Sequence, residues 1–433
     1  MSRLALVLLG FSIAVSTSMS NVLVIVIACL WLVTGDLSGK LRRIVANPVA
    51  WLPLVLFGWI LAGVAYTSVS PSECLRGAMK YRELFYIPIL LTLLPASNAK
   101  LGGLADVVEA LRRRRLGSVD WRKWSVVGFV VGNLCELSAS YGEWLFDVDW
   151  GFPTSTDHVV FKDRIIHNFL LAYMLFVLAH DSLPTLRWRW AAVAIGGITL
   201  VNMVTMVQGR TGYLALSVLT VMFMVQKFGG RGIAYAVASL AVLAGTAYAG
   251  SATFRYRMQE SQLQVQTSLG QQVEPTDARM TAEEPRLKFY LRAVDIIRRQ
   301  PFIGFGAGSF EREYAAIIAH SDAQPTVDPH NEYLAIASQS GLIGLALWFA
   351  ILIVQWKATW RLPDPERQLA QGMLALMAAG CLVNSLLLGF TGGLFWAYFA
   401  GVFFTSAERL AACEPLSLDQ TFVEIPPTLR SAA

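Results

Sequence analysis

Apolar runs close to twenty residues long recur along almost the whole chain, and no other feature constrains the fold as tightly. A helix of about 20 apolar residues spans the hydrocarbon core of a bilayer. Inside lipid, backbone N–H and C=O groups find partners only within a helix or a closed barrel. Unbroken runs of this length fit the helix. They predict about twelve spans, at approximately 4–19, 21–35, 49–66, 83–97, 124–141, 165–181, 188–206, 211–226, 232–249, 332–355, 369–388 and 391–406, with a further element in 98–111. The expected fold is an all-α integral membrane protein with a large helical loop between spans 9 and 10. Composition agrees: only 15% of the 433 residues are charged, where a soluble domain carries about 25%.

Lysine and arginine assign the sides. With the N-terminus inside, one set of loops holds Lys40, Arg42, Arg43, Lys100, Arg112–Arg115, Arg122, Lys123, Arg187, Arg189, Lys227, Arg231, Lys357, Arg361 and Arg367. The short loops of the other side hold only Arg76, Lys80, Arg82, Lys162, Arg164 and Arg210. Cytoplasmic loops are the basic ones, so an even span number leaves both termini in the cytoplasm. The apolar start before Val15 reads as one arm of a retained hairpin, because a second run begins at Val22. Five scattered cysteines (Cys29, Cys74, Cys135, Cys381 and Cys413) form no C-x-x-C pair and support neither a disulfide framework nor a thiolate metal site. The longest basic run lies between hydrophobic segments, so nucleic acid is not an expected partner. The chain divides into 1–249 with spans 1–9, 250–330 as an external helical loop, 331–408 with spans 10–12, and 409–433 as a cytoplasmic tail.

The external segment is far longer than an ordinary connection, which marks a folded, functional insertion. Long translocated loops escape the charge rule, and an anionic ligand is one account of their basic residues. Pro285 and Pro301 bracket a helix. Within it Leu287, Tyr290, Leu291, Val294 and Ile297 recur at helical spacing, and Arg286 lies in the first turn. Gly304, Gly306 and Gly308 read as a tight turn; no strand precedes them and their spacing does not fit a nucleotide loop. In Asp328-Pro329-His330-Asn331-Glu332, aspartate suits an N-cap and proline the first helical position. That reading puts His330 in the first turn of the tenth span. The positive helix end disfavours an imidazolium there, and a neutral imidazole can serve as a general base.

Arg210 stands in the short turn Gln208-Gly209-Arg210-Thr211-Gly212. An arginine at a membrane boundary often only snorkels, but a guanidinium fork also suits phosphate, and flanking glycines let backbone approach a ligand. Arg286 has Glu283 and Glu284 nearby to neutralise it. Lys80 and Arg82, just outside the fourth span, are placed to touch an anionic head group. Arg164, His167 and Asn168 open the sixth span, where an ionisable residue is a functional candidate, although His167 equally fits a buried structural histidine. Asp147-Val148-Asp149 forms a D-x-D whose hard oxygens suit a divalent cation. Such pairs are common by chance and no His/Asp cluster accompanies this one, so neither metal nor cofactor is expected.

Three stretches in order carry a resemblance. Arg210-Thr211-Gly212 opens a span, and Pro285-Arg286 opens a helix leading to Pro301-Phe302-Ile303-Gly304-Phe305-Gly306. His330-Asn331-Glu332-Tyr333-Leu334 then precedes Ser340-Gly341-Leu342-Ile343-Gly344. Together they resemble the O-antigen ligase and polymerase superfamily of bacterial envelope proteins, well over about 205–345 and elsewhere only in the number of spans. The resemblance implies a GT-C-like, metal-independent glycosyltransferase of the bacterial inner membrane, with its site facing the periplasm. Ligase members move polysaccharide from undecaprenyl diphosphate to a sugar of lipid A–core. The family's two arginines and histidine fall on Arg210, Arg286 and His330. Gln208, Asn331 and Tyr333, beside these motifs, join Lys80, Arg82, Arg164, His167 and Asn168 as candidate substrate contacts. The alternatives are a polymerase or protein O-oligosaccharyltransferase of the same superfamily, and, outside the class, a transporter of lipid-linked glycan.

Overall fold

The computed structural model describes residues 1–93, 101, 104–113, 120–148, 158–181, 186–207, 209–268, 286–320 and 325–405. Gln208, Asp149, Glu283, Glu284, Pro285 and the tail at 409–433 lie outside the described residues. Every described element is a helix, with no strand among the described residues. Each run expected to span falls on a helix, and Leu104–Arg112 occupies the 98–111 interval. Among the described residues, four helical stretches are long and apolar enough to cross a membrane: Pro48–Ala65, Trp188–Met206, Arg210–Gly250 and Glu332–Thr359. Thr17–Val33 and Leu37–Ala46 form a further pair bent by 110°, while Ser2–Val15, Glu83–Thr92, Arg164–His180 and Phe390–Phe404 are apolar but shorter. The 41-residue stretch is two helices, Arg210–Phe228 and Gly232–Gly250. Gly232 packs so tightly against Met224 that the second must double back along the first.

Phe390–Phe404 runs through the middle of the bundle, buried from Gly392 onward. It is apolar all round, as a helix enclosed by others should be. Phe395 and Phe399 meet Tyr173 edge-on at 5.0 and 4.9 Å, and Phe399 meets Phe129 at 5.0 Å. Such pairs contribute about 0.5–1.5 kcal/mol each beyond simple burial. Ser2–Val15 buries Leu9, Ile13 and Ala14, and Ser16 caps the next helix by accepting from Met19 N–H at 3.2 Å.

The helix Glu332–Thr359 is interrupted at Gly341, whose φ of 67° and ψ of −174° leave the helical region. The break leaves carbonyls without helical partners, and the glycine-rich turn at 301–308 supplies them. Phe305 N–H donates to Ser338 O at 3.1 Å and Gly306 N–H to Gln339 O at 2.8 Å. In return Leu342 N–H donates to Pro301 O at 2.8 Å and Ile343 N–H to Phe302 O at 3.3 Å. Gly304, Gly306 and Gly308 all take positive φ (70°, 87° and 77°), a conformation open to glycine at little cost. The tight-turn reading therefore holds, and the turn is docked into a broken helix.

Outside the main bundle a small second core forms from Ala293, Ile296, Phe310, Tyr314 and Ile318, with Phe289, Phe305 and Leu334 against it. The helix Arg286–Arg299 occurs where sequence placed it, but its inward face is Phe289, Ala293 and Ile296. Leu287 and Leu291 stay exposed. Periodicity gave the helix and not its buried side, because a small alanine facing Phe310 and Tyr314 closes the gap better than a leucine.

Candidate active site

Arg210 is the first residue of its helix, preceded by Gly209 at the N-cap. The two glycines around it serve packing. A Cβ on Gly212 would lie 2.5 Å from Asn168 Cβ, and one on Gly209 would lie 2.8 Å from Asn168 Nδ2. They let the helix settle against Arg164–His180. Asn168 is fully buried and donates to Val207 O at 3.2 Å. The Arg210 side chain is half-buried, with Nη1 3.5 Å from Ser261 Oγ.

Arg286 opens its own helix, and its Nη1 donates to Val383 O at 2.8 Å. One turn on, the Tyr290 hydroxyl donates to Leu382 O at 3.2 Å and lies 3.4 Å from His330 O. Burial holds that hydroxyl above the ordinary tyrosine range, so it remains a donor.

His330 is not inside the helix. The helix starts at Glu332, and Asn331 is its N-cap, with Oδ1 accepting Leu334 N–H at 3.1 Å. Asparagine is as good a cap as aspartate, and here the later of the two wins. His330 takes a left-handed φ of 52° just before the cap. Its backbone N–H donates to Asp328 Oδ1 at 2.7 Å, and its Nδ1 is 3.4 Å from the same oxygen. The imidazole thus faces a carboxylate, where sequence placed it over the positive end of a helix.

The three motifs meet on one segment, the end of Glu366–Val383 and the residues after it. Arg286 binds Val383 O, while Tyr290 and Asn331 Nδ2 bind Leu382 O, the latter at 2.9 Å. Asn384 Nδ2 donates to Thr211 Oγ1 at 2.8 Å, beside Arg210. Ser385 Oγ donates to Asp328 Oδ1 at 2.9 Å, beside His330. Leu387 N–H donates to Glu332 Oε2 at 2.8 Å. Sequence reading missed Asn384 and Ser385. Their one signal was two adjacent polar residues inside an expected span, which is costly in lipid unless they are used.

The remaining candidates divide. Arg82 lies near the segment, with its guanidinium 4.8 Å from the Phe390 ring centre and Nε 3.7 Å from Glu83 Oε1. Lys80 and Arg164 are exposed. Tyr333 donates to Ala378 O at 2.9 Å and stacks on Phe349. His167 is fully buried, with Nδ1 2.7 Å from Glu136 Oε1 and Nε2 2.9 Å from Asn202 Oδ1. Those contacts fill both ring nitrogens and give it the character of a structural histidine. Asp147 is a left-handed C-cap, and no cluster of three metal-binding side chains occurs among the described residues.

Fold and geometry together describe a helical protein with several membrane-length apolar helices, in which the elements bearing Arg210, Arg286 and His330 converge on the segment 382–385. Residues 195–349 match the family model described as O-antigen ligase, a stretch containing Arg210, Arg286, His330 and the break at Gly341. No curated protein matches the chain.

Proposed function

We propose that the protein is an O-antigen ligase: a metal-independent, inverting glycosyltransferase that moves polysaccharide from undecaprenyl diphosphate to a sugar hydroxyl of lipid A–core. In this reading about twelve helices cross the bacterial inner membrane, both termini are cytoplasmic, and the site faces the periplasm. The observation that carries it is the segment 382–385, which ties the elements bearing Arg210, Arg286 and His330 to one another.

The donor is already activated, so no nucleotide is needed outside the cytoplasm. The acceptor oxygen attacks the anomeric carbon as the bond from that carbon to the diphosphate oxygen breaks. Negative charge then grows on the departing diphosphate, and Arg210 and Arg286 stabilise it. Fixed cations aimed at developing charge are often the largest catalytic contribution. His330 takes the hydroxyl proton, which is worth roughly 10²–10⁴-fold. Arg82 and Lys80 line the approach for the lipid head group. Direct displacement inverts the anomeric centre.

The test is transfer by purified protein in detergent from undecaprenyl diphosphate-linked polysaccharide to lipid A–core. Covalent product without an energy source, lost in His330→Ala, supports the reading. Movement of the lipid-linked glycan without a new covalent bond refutes it. Chain extension on the carrier with no product on lipid A–core makes the protein a polymerase.

A further inference from the structure

We propose that Asp328 is the positioning residue for His330, braced by Ser385; the inference rests on the general-base reading above. One carboxylate oxygen, Asp328 Oδ1, collects three groups: His330 N–H at 2.7 Å, Ser385 O–H at 2.9 Å and His330 Nδ1 at 3.4 Å. The first contact fixes the His330 backbone in its left-handed turn. That conformation is unfavourable for a residue with a Cβ, although histidine visits it more readily than most. The strained turn folds the imidazole back over the carboxylate two residues earlier. Phe289 flanks the ring, with 5.9 Å between centres.

The consequence is a defined tautomer. Nδ1 is the ring nitrogen facing the carboxylate, at 3.4 Å and so longer than a formed hydrogen bond; closing that gap in the substrate complex puts the ring proton on Nδ1 and the lone pair on Nε2. Among the described residues Nε2 has no hydrogen-bond partner, and the side chain is 40% exposed. Nε2 is therefore the nitrogen that receives the acceptor proton. The imidazolium so formed stands beside a fixed negative charge, as the histidine of a Ser-His-Asp triad does. Ser385 ties this pair to the preceding residue, Asn384, which holds Thr211 and the Arg210 helix. Base and cation are thus set from one piece of chain, and a shift in that segment displaces both.

The experiment compares wild type, His330→Ala, Asp328→Asn, the double variant and Ser385→Ala in the same purified transfer assay, with thermal unfolding of each. Asp328→Asn keeps shape and removes charge. It should lower kcat about 10²-fold while donor KM stays within about twofold. In the His330→Ala background, where about 10²–10⁴-fold of the rate is already gone, it should remove nothing more from the residual turnover, since a residue acting through another adds no loss once that other is gone. Ser385→Ala should lower kcat several-fold with the same unchanged KM, and it carries the test if Asp328→Asn does not fold. Full turnover by Asp328→Asn alongside an inactive His330→Ala overturns this inference and leaves the base reading intact. Full turnover by His330→Ala overturns both. Loss of melting temperature together with a further loss of activity in the double variant makes Asp328 merely structural and also overturns the inference.

Discussion

Replacing Gly341 with alanine tests how the site is held in place. Its φ of 67° and ψ of −174° lie in a region that is essentially glycine-only and costs other residues about 1–3 kcal/mol. A Cβ there would overlap the carbonyl of Phe302, and backbone cannot swing aside as a flexible side chain does. Relief means moving the turn at 301–308 off the broken helix. Four backbone hydrogen bonds join the two. Losing two of them, at about 1 kcal/mol each, brings the total to roughly 3–5 kcal/mol when the strain is added. The same turn anchors the small outer core, which carries Arg286, and the start of the helix that follows His330. Activity should therefore fall beyond what the lost fraction of folded protein explains. The assay is thermal unfolding of purified protein in detergent, with transfer measured well below the melting point. A drop of roughly 3–5 °C is expected. A Gly341→Ala protein that melts and turns over like wild type would show that the turn and the broken helix are not interlocked.

Arg286→Lys should lose about 10²-fold in kcat, because an ammonium that keeps the single bond to Val383 O lacks the planar fork that suits a diphosphate; unchanged kcat would reduce Arg286 to a helix anchor. Gly212→Val should destabilise by roughly 1–3 kcal/mol through overpacking against Asn168, and normal expression and melting would contradict the close helix approach. Burial pulls the Lys162 ammonium down to about 8, against the opposing pull of Glu136 and Asp163. The unfolded chain then binds more protons than the folded one between about pH 8 and the ordinary lysine value near 10.4, so stability rises with pH across that window and is penalised below it. The penalty at neutral pH is on the order of 3 kcal/mol. Wild-type melting temperature should climb from pH 8 to 10 and flatten in Lys162→Met; a flat wild-type profile would refute it.

The apolar runs alone located the helices, because enough hydrophobicity to enter lipid is a property each stretch carries by itself. They did less well on crossing. Phe390–Phe404 is shorter than its expected span and is sheathed by other helices, a distinction composition does not make. Cap chemistry was half legible: Asp328 and Asn331 are both good N-caps, and only the geometry chose the later one and turned His330 toward a carboxylate.

Residue order alone specifies helices throughout the described residues, the charged side chains on offer, and a stretch, 195–349, that matches an O-antigen ligase model. The tertiary structure decided which of these meet. Thr211 and Asn384 are 173 residues apart and share a hydrogen bond, and Gly341 breaks a helix so that a turn from the outer segment can pair with it. Helix formation is a local free energy, summed over neighbours in the chain. A site assembled from helix ends depends on how those helices pack, and no window of sequence contains that.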